Sequence, residues 1–268
     1  MAYDIRPLSF GEILDRAFQV YFDNFVLLFG IAAAVWIPSG IILASGSIVG
    51  NAAAAVLNLI FLMVAAPIMQ AALTIAVSEA YLDRPVTIAE AYQSTRPIFL
   101  ALIGTYLLMG LLFVIPAAVA GVTFMVSRAL FVIAVIAALV IIFYFIGCWS
   151  LVGPVMIVER RFGMSGLRRS RELVIGSWWR TIGILVTAGL IAGVPASALR
   201  FVWAFIPVIG VILTAATQAV SSTYSSVVIV IYYFDQRCRT EDFDLRLLAE
   251  QVRAQTAPTT ATGSSSLA

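Results

Sequence analysis

Long stretches without a charged residue constrain this chain more than any other feature. Within its 268 residues, the arginines and acidic residues fall in a few short segments, and five blocks between them carry no charge. These blocks are residues 24–78, 97–127, 129–158, 181–199 and 201–234. A soluble domain has about a quarter of its residues charged, whereas this chain has 11% charged and 62% apolar residues. The sequence therefore excludes a soluble globular protein.

The charge-free blocks predict six transmembrane helices. A helix needs about 20 apolar residues to cross a bilayer, so four blocks hold one helix each and the longest holds two. In that longest block, Pro38, Ser39, Gly40 and the run 45–47 favour a turn. The predicted spans are residues 25–45, 52–77, 98–120, 130–157, 181–199 and 207–234. We expect an all-α integral membrane fold in a single domain, residues 1–253.

The placement of the arginines predicts the orientation of these spans. All charged residues except Arg128 and Arg200 fall in segments that six spans place on one side. Loops rich in arginine are retained in the cytoplasm, so both termini are expected inside. The first apolar stretch begins only after Asp23 and follows acidic residues, which is not the pattern of a cleaved secretory signal.

Landmarks that recur at intervals of about 78 residues predict an internal repeat. Ser9, Thr87 and Ser165 each stand where a helix would begin, and Glu12 and Glu90 complete capping boxes in the first two copies. Prolines mark the odd-numbered spans and acidic residues end the even-numbered ones: Pro38, Pro116, Pro195, Glu79, Glu159 and Asp235. We expect three parallel helical hairpins, each preceded by a cytoplasmic amphipathic helix. The copies have approximate boundaries of 7–84, 85–162 and 163–240.

The cytoplasmic helices are expected to lie in the headgroup region, because their apolar residues share one face. In the first helix, this face consists of Leu14, Phe18, Tyr21, Phe22 and Phe25. A further amphipathic helix is expected over residues 242–253. The Thr/Ser/Ala/Gly-rich tail, residues 254–268, is expected to be disordered.

Three stretches carry a resemblance to a known family. They are RPLSFGEILDRAFQVYFDNF, PVMIVERRFGMSGLRRSRELVIGSWW and YYFDQRCRTEDFDLRLLAEQ. They resemble the bacterial glycerophosphoryl diester phosphodiesterase membrane domain and related multi-pass domains of unknown function, over about residues 5–253. The resemblance implies a multi-pass protein of the bacterial cytoplasmic membrane. Phosphodiesterases of that type use histidine and a carboxylate-bound metal, and this chain has no histidine, so that activity is not implied.

No catalytic set is recognisable in the sequence. The lack of histidine excludes imidazole catalysis and most zinc sites, and Cys148 and Cys238 form no CxxC pair. A membrane enzyme acting on lipid headgroups would need Glu79, Glu159 and Asp235 to converge. We expect a non-enzymatic protein without catalytic residues, cofactor or metal, and without nucleic acid as a partner.

A basic segment between the fourth and fifth spans is the first candidate site. It carries six arginines and two interfacial tryptophans, namely Arg160, Arg161, Arg168, Arg169, Arg171, Arg180, Trp178 and Trp179. Basic residues beside a membrane attract anionic headgroups, so the segment is a candidate contact for lipid or for a partner protein. The alternative is that these arginines only enforce topology.

The hydroxyl-rich segment TQAVSSTYSS, residues 217–226, is the second candidate site. One interpretation has polar residues of the sixth and second spans line a wet cavity. These candidates are Gln70, Thr74, Gln218, Ser222 and Ser225. The other interpretation is close helix packing, because hydroxyl groups bond to their own helix backbone. The leading hypothesis is thus an envelope-associated scaffold that engages lipid, a partner protein or a second copy, and the alternative is a small transporter or channel.

Overall fold

The computed structural model describes residues 7–82, 84–206 and 209–241, and in this part of the chain it contains helices and no strands. Its helices are α1 (Phe10–Asp23), α2 (Phe25–Ala44), α3 (Gly46–Val49), α4 (Asn51–Tyr81), α5 (Ile88–Gln93), α6 (Phe99–Val126), α7 (Arg128–Trp149), α8 (Val152–Val158), α9 (Gly163–Val174), α10 (Trp178–Trp203) and α11 (Ile209–Glu241). The expected all-α fold is confirmed. The predicted helix 242–253 and tail 254–268 lie outside the described residues.

Within the part of the chain that the structure describes, five helical segments are long and apolar enough to cross a membrane. They are Phe25–Val49, Asn51–Tyr81, Ile88–Val126, Arg128–Val158 and Gly163–Trp203. This is the pattern of a multi-pass membrane protein. Helix α11 is not among the five segments although it has 33 residues, and it is the helix that contains the hydroxyl-rich segment.

The turn predicted between the first two spans is found at the 45–47 end of its range. Helix α2 continues through Pro38 and Gly40 as far as Ala44, and the chain reverses at Gly50, whose φ is 93°. Interior prolines are tolerated in membrane helices. Gly40 instead serves close packing, because a Cβ built there would lie 2.7 Å from the Cβ of Ala215 on α11.

Both predicted capping boxes are present. The side chains of Ser9 and Thr87 accept the backbone N–H of Glu12 and Glu90, and the glutamates accept the backbone N–H of the capping residues at 2.7 and 2.8 Å. The third predicted cap, Ser165, is wrong. Helix α9 already begins at Gly163, whose φ of 59° turns the chain into the helix two residues earlier.

Helix α1 is amphipathic, but the face that it buries lies next to the face predicted from the sequence. Its buried residues are Ile13, Ala17, Val20 and Tyr21. Leu14 and Phe18 flank this face, whereas Phe22 is 66% exposed. The reason is that α1 runs lengthwise against α11: Leu8 just before it bonds to Asp235, and Tyr21 near its end donates to the carbonyl of Val220.

The protein core surrounds α11. This helix packs against α1, α2, α4 and α10, and also contacts α8 and α9. The apolar run 227–234 on α11 is almost entirely covered by these neighbours. The hairpin of α6 and α7 lies at the periphery, and only 6% of the most apolar window in Arg128–Val158 is buried.

Candidate functional site

The structure divides the basic segment into partly buried, ion-paired arginines and exposed ones. Arg169 and Arg180 point into the protein and form ion pairs with acidic residues of α11 or the loop before α9. The other four are exposed, namely Arg160, Arg161, Arg168 and Arg171. Arg161 reaches Glu159 only at 3.7 Å. The sequence treats the six arginines as one cluster, but two of them have a structural role.

Arg169 joins α9 to the end of α11. Its Nε donates to Glu159 Oε2 at 2.7 Å, and its Nη2 donates to Glu241. Glu241 also accepts from Arg237 Nε at 3.1 Å, and Glu159 accepts from the Tyr233 hydroxyl at 3.0 Å. Burial acts to raise the pKa of Glu241, but the hydrogen bonds and charges of Arg169 and Arg237 outweigh it and lower that pKa.

A second ion-pair group holds the start of the described chain, and we call it the Leu8 clamp (Leu8, Arg180, Asp235 and Arg239). Asp235, whose side chain is fully buried, accepts the backbone N–H of Leu8 at 2.7 Å and Arg180 Nη1 at 2.7 Å. Arg239 Nε donates to the same carboxylate at 3.1 Å. The carbonyl of Leu8 accepts from Arg180 Nη2 at 2.7 Å and Arg239 Nη2 at 2.6 Å.

Sequence reasoning foresaw only part of this clamp. Asp235 is expected at the end of the sixth span, and Arg239, four residues further along, pairs with it in the structure. The role of Leu8 was missed, because a backbone N–H and C=O leave no side-chain signal in a sequence. Arg180 was assigned to the lipid-facing cluster, whereas its guanidinium connects α10, α11 and the segment before α1.

The exposed side of α9 combines basic and apolar side chains. Arg168 and Arg171 lie on it, and Met164, Ile175 and Trp179 are exposed along the same stretch, with Trp179 at 78%. The two tryptophans differ, because Trp178 is half-buried and packs against Gly147 of α7. Basic residues interspersed with exposed apolar and aromatic ones are typical of a helix at a membrane surface.

Most hydroxyl groups of the hydroxyl-rich segment donate hydrogen bonds to the backbone of their own helix. Thr217, Ser222, Thr223, Ser225 and Ser226 each donate to a backbone carbonyl three or four residues earlier on α11. Such bonds occur in closely packed helices. They favour the packing interpretation over a polar path.

Hydrogen bonds also link this segment to α1, α2, α4 and α10. Ser226 donates to Gln70 Oε1 at 3.1 Å, and Ser222 accepts from Trp36 Nε1 at 3.0 Å. Thr74 bonds to the carbonyl of Gln70 on its own helix. Gln218 is partly buried on α11. Among the five predicted cavity-lining residues, the structure thus places Gln70 and Ser222 in contacts between helices.

The three acids that a headgroup-acting enzyme would need have separate partners. Glu79 lies 3.9 Å from exposed Arg84, Glu159 pairs with Arg169, and Asp235 belongs to the Leu8 clamp. Among the residues that the structure describes, no group of three His, Cys, Asp or Glu is placed to hold a metal ion. Cys148 and Cys238 are both buried.

Comparison with known proteins adds no relative: no family model, no curated protein and no solved structure matches this chain. The resemblance to the phosphodiesterase membrane domain therefore stays a prediction.

Proposed function

We propose that this protein is a non-enzymatic, six-span scaffold of a bacterial cytoplasmic membrane that gathers anionic lipid on the exposed side of α9. Helix α11 is the sixth span, because its 33 residues extend over about 50 Å at 1.5 Å per residue. The hairpins α2–α4, α6–α7 and α10–α11 are the three repeats. Arg128 and Arg200 lie at the outer end, and both termini are cytoplasmic.

One observation carries the lipid-binding proposal: four arginines remain exposed after Arg169 and Arg180 have been used in ion pairs. Arg160, Arg161, Arg168 and Arg171 are exposed in the same stretch of chain as exposed Trp179. An arginine close to an anionic leaflet contributes about 1 kcal/mol to membrane attraction. Arg160 has a φ of 54°, a left-handed conformation that is unusual for a residue with a side chain. The turn before α9 keeps that strained geometry while both its arginines face outward.

The test compares two pairs of exposed arginines by native mass spectrometry. The site variant is Arg168→Gln/Arg171→Gln, and the matched control is Arg84→Gln/Arg96→Gln on the α4–α6 connection. The protein in detergent is offered equal phosphatidylglycerol and phosphatidylethanolamine. We expect the site variant to lose about tenfold or more of its preference for phosphatidylglycerol, from about 1 kcal/mol per arginine, while the control keeps it.

Equal loss in both variants would show nonspecific charge attraction and contradict a site on α9. A second outcome is an unchanged lipid preference, together with a protein that co-purifies with the wild type but not with the site variant. That outcome would mean that the exposed side of α9 binds a protein rather than lipid.

The proposed topology has an independent test by cysteine labelling. Cys148 and Cys238 are buried, so the unmodified chain supplies the baseline. Ser47→Cys lies between α2 and α4, and Ser94→Cys lies between α5 and α6. An impermeant maleimide applied to intact cells should label Ser47→Cys, and Ser94→Cys should require lysis. Labelling of both from outside would contradict the proposed orientation.

A further inference from the structure

A small cavity lies between α1, α10 and α11, on the side of α11 that faces away from α2. Its volume is about 170 Å³. Its lining includes Tyr21, Ala196, Leu199, Thr217, Ser221 and Tyr224. The lining is mostly aliphatic and aromatic, and its hydroxyl groups come from α11 and from Tyr21.

Tyr224 brings an unpaired donor to this cavity. Its side chain is 4% exposed, and its hydroxyl is buried without a hydrogen-bond partner among the described residues. The other hydroxyl donors of α11 here are used, since Thr217 donates to the carbonyl of Leu213 and Ser221 to that of Ala192. Native structures seldom leave a buried polar group unpaired. The Tyr224 hydroxyl therefore calls for an acceptor that the protein does not supply.

The position of the cavity indicates where that acceptor comes from. Leu199 and Val220 at its edge are exposed apolar residues, so the mouth faces the hydrocarbon. Helix α1 covers another side with Tyr21 and Phe18, and its exposed face carries Asp15 and Gln19. A ligand entering from the bilayer thus meets an apolar lining with one hydrogen-bond donor, beside the polar face of α1.

Charge selects among lipids. Asp15 lies on the exposed face of α1, three residues before Phe18 of the lining, and a carboxylate near the cavity disfavours a phosphate. An apolar cavity also holds water poorly, since a buried water needs two to four polar partners. We infer that this cavity binds an uncharged glycerolipid of the diacylglycerol type. Part of an acyl chain fills the lining, and an ester carbonyl accepts from Tyr224.

This site differs from the α9 surface in place and in preference, and it does not depend on the proposed function. The exposed arginines of α9 favour anionic headgroups, whereas the cavity beside Asp15 favours neutral ones.

The experiment uses dioleoylglycerol added to the full chain in detergent, with binding followed by native mass spectrometry and by the shift in unfolding temperature. Tyr224→Phe removes the donor and keeps the ring, so affinity should fall about two- to tenfold, the size of one net hydrogen bond. Without lipid, the same variant should unfold at an equal or higher temperature, because the unpaired hydroxyl is gone. Ala196→Leu fills the cavity and should abolish binding.

Val194→Leu, at an exposed position of α10, is the matched control and should bind as the wild type does. Three results would overturn the inference. The first is that wild type and Tyr224→Phe bind dioleoylglycerol equally well. The second is that the wild type also binds phosphatidylglycerol and that Ala196→Leu abolishes this binding as it abolishes dioleoylglycerol binding. The third is that the wild type does not bind dioleoylglycerol. If Ala196→Leu does not fold, the Tyr224→Phe comparison still decides.

Discussion

The α6–α7 hairpin is more apolar than helix α11 but less buried. The segment Arg128–Val158 has a mean hydropathy of 3.2, the highest of the five apolar segments, yet only 6% of that window is buried. Helix α11 falls outside those segments and nevertheless forms the centre of the protein core. In a soluble protein the most apolar helix would be the buried one.

The bilayer explains this inversion. Lipid tails are as apolar as leucine side chains, so an apolar helix gains little by leaving them, and close packing with hydrogen bonds decides which helices associate. Helix α11 offers hydroxyl groups, small residues and an ion-paired end. The α6–α7 hairpin offers mainly large aliphatic side chains. Polar and small residues, rather than apolar ones, therefore locate the core of this protein.

The largest effect is expected when the same substitution is made at a buried position of α11 and at an exposed position of α7. Ile231 on α11 is fully buried, whereas Ile133 on α7 is 63% exposed. Ile231→Ala should lower the free energy of unfolding by about 3 kcal/mol through lost contacts and a cavity. Ile133→Ala should change it by less than about 0.5 kcal/mol. Chemical denaturation in detergent micelles measures both, and similar losses would show that the hairpin is packed rather than lipid-facing.

The Leu8 clamp gives the next effect. Asp235→Asn leaves Arg180 and Arg239 facing each other without the buried carboxylate that joins them. Breaking a fully buried pair costs about 3–5 kcal/mol, and the partial exposure of both arginines reduces the expected loss to about 2 kcal/mol. The variant should also expose the bond after Arg16 on α1 to trypsin sooner than in the wild type, because Ala17 after it is buried only while α1 is held against its neighbours. Unaltered stability would mean that the clamp does not hold α1 against α11.

The sequence predicts the apolar helices and the local signals at helix starts, but it does not predict which helices pack against each other. Charge-free blocks identify apolar helices, and Ser9–Glu12 and Thr87–Glu90 identify helix starts, because a cap is a local interaction. Arg239 is one helical turn from Asp235, but the other partners, Arg180 and Leu8, are 55 and 227 positions away, and no local pattern encodes those pairings. The face that α1 buries was missed for the same reason, since two adjacent apolar stripes are equally suitable until α11 is in place.

Replacing glycine by alanine is expected to change the stability in opposite directions on α2 and on α6. Gly40 on α2 touches α11, where an added methyl would lie 2.7 Å from Ala215, whereas nothing lies within 4 Å of Gly110 on α6. Gly40→Ala should destabilise the protein by about 1–2 kcal/mol through overpacking. Gly110→Ala should stabilise it by about 0.5–1 kcal/mol, since glycine weakens a helix. Melting of the two variants in the same detergent measures both, and a loss at Gly110 would reveal a packed surface on α6.

The smallest expected effect is a pH dependence confined to the end of α11. Arg169 and Arg237 lower the pKa of Glu241 below its ordinary value of 4.5. A carboxyl whose folded-state pKa is lowered adds stability that is complete above its unfolded pKa and disappears as the pH falls through the folded value. Stability should therefore decline below about pH 5 in the wild type and decline less in Glu241→Gln.

The matched control is Glu90→Gln on α5, where the backbone and side chain of Thr87 lower the pKa of a fully exposed carboxyl. Its contribution is confined to a helix cap, so its effect on acid unfolding should be independent of Arg169. In contrast, Arg169→Gln should remove most of the difference between wild type and Glu241→Gln, because the two residues act on one ion pair. Additive effects of Arg169→Gln and Glu241→Gln would mean that the end of α11 is exposed to solvent rather than held by α9.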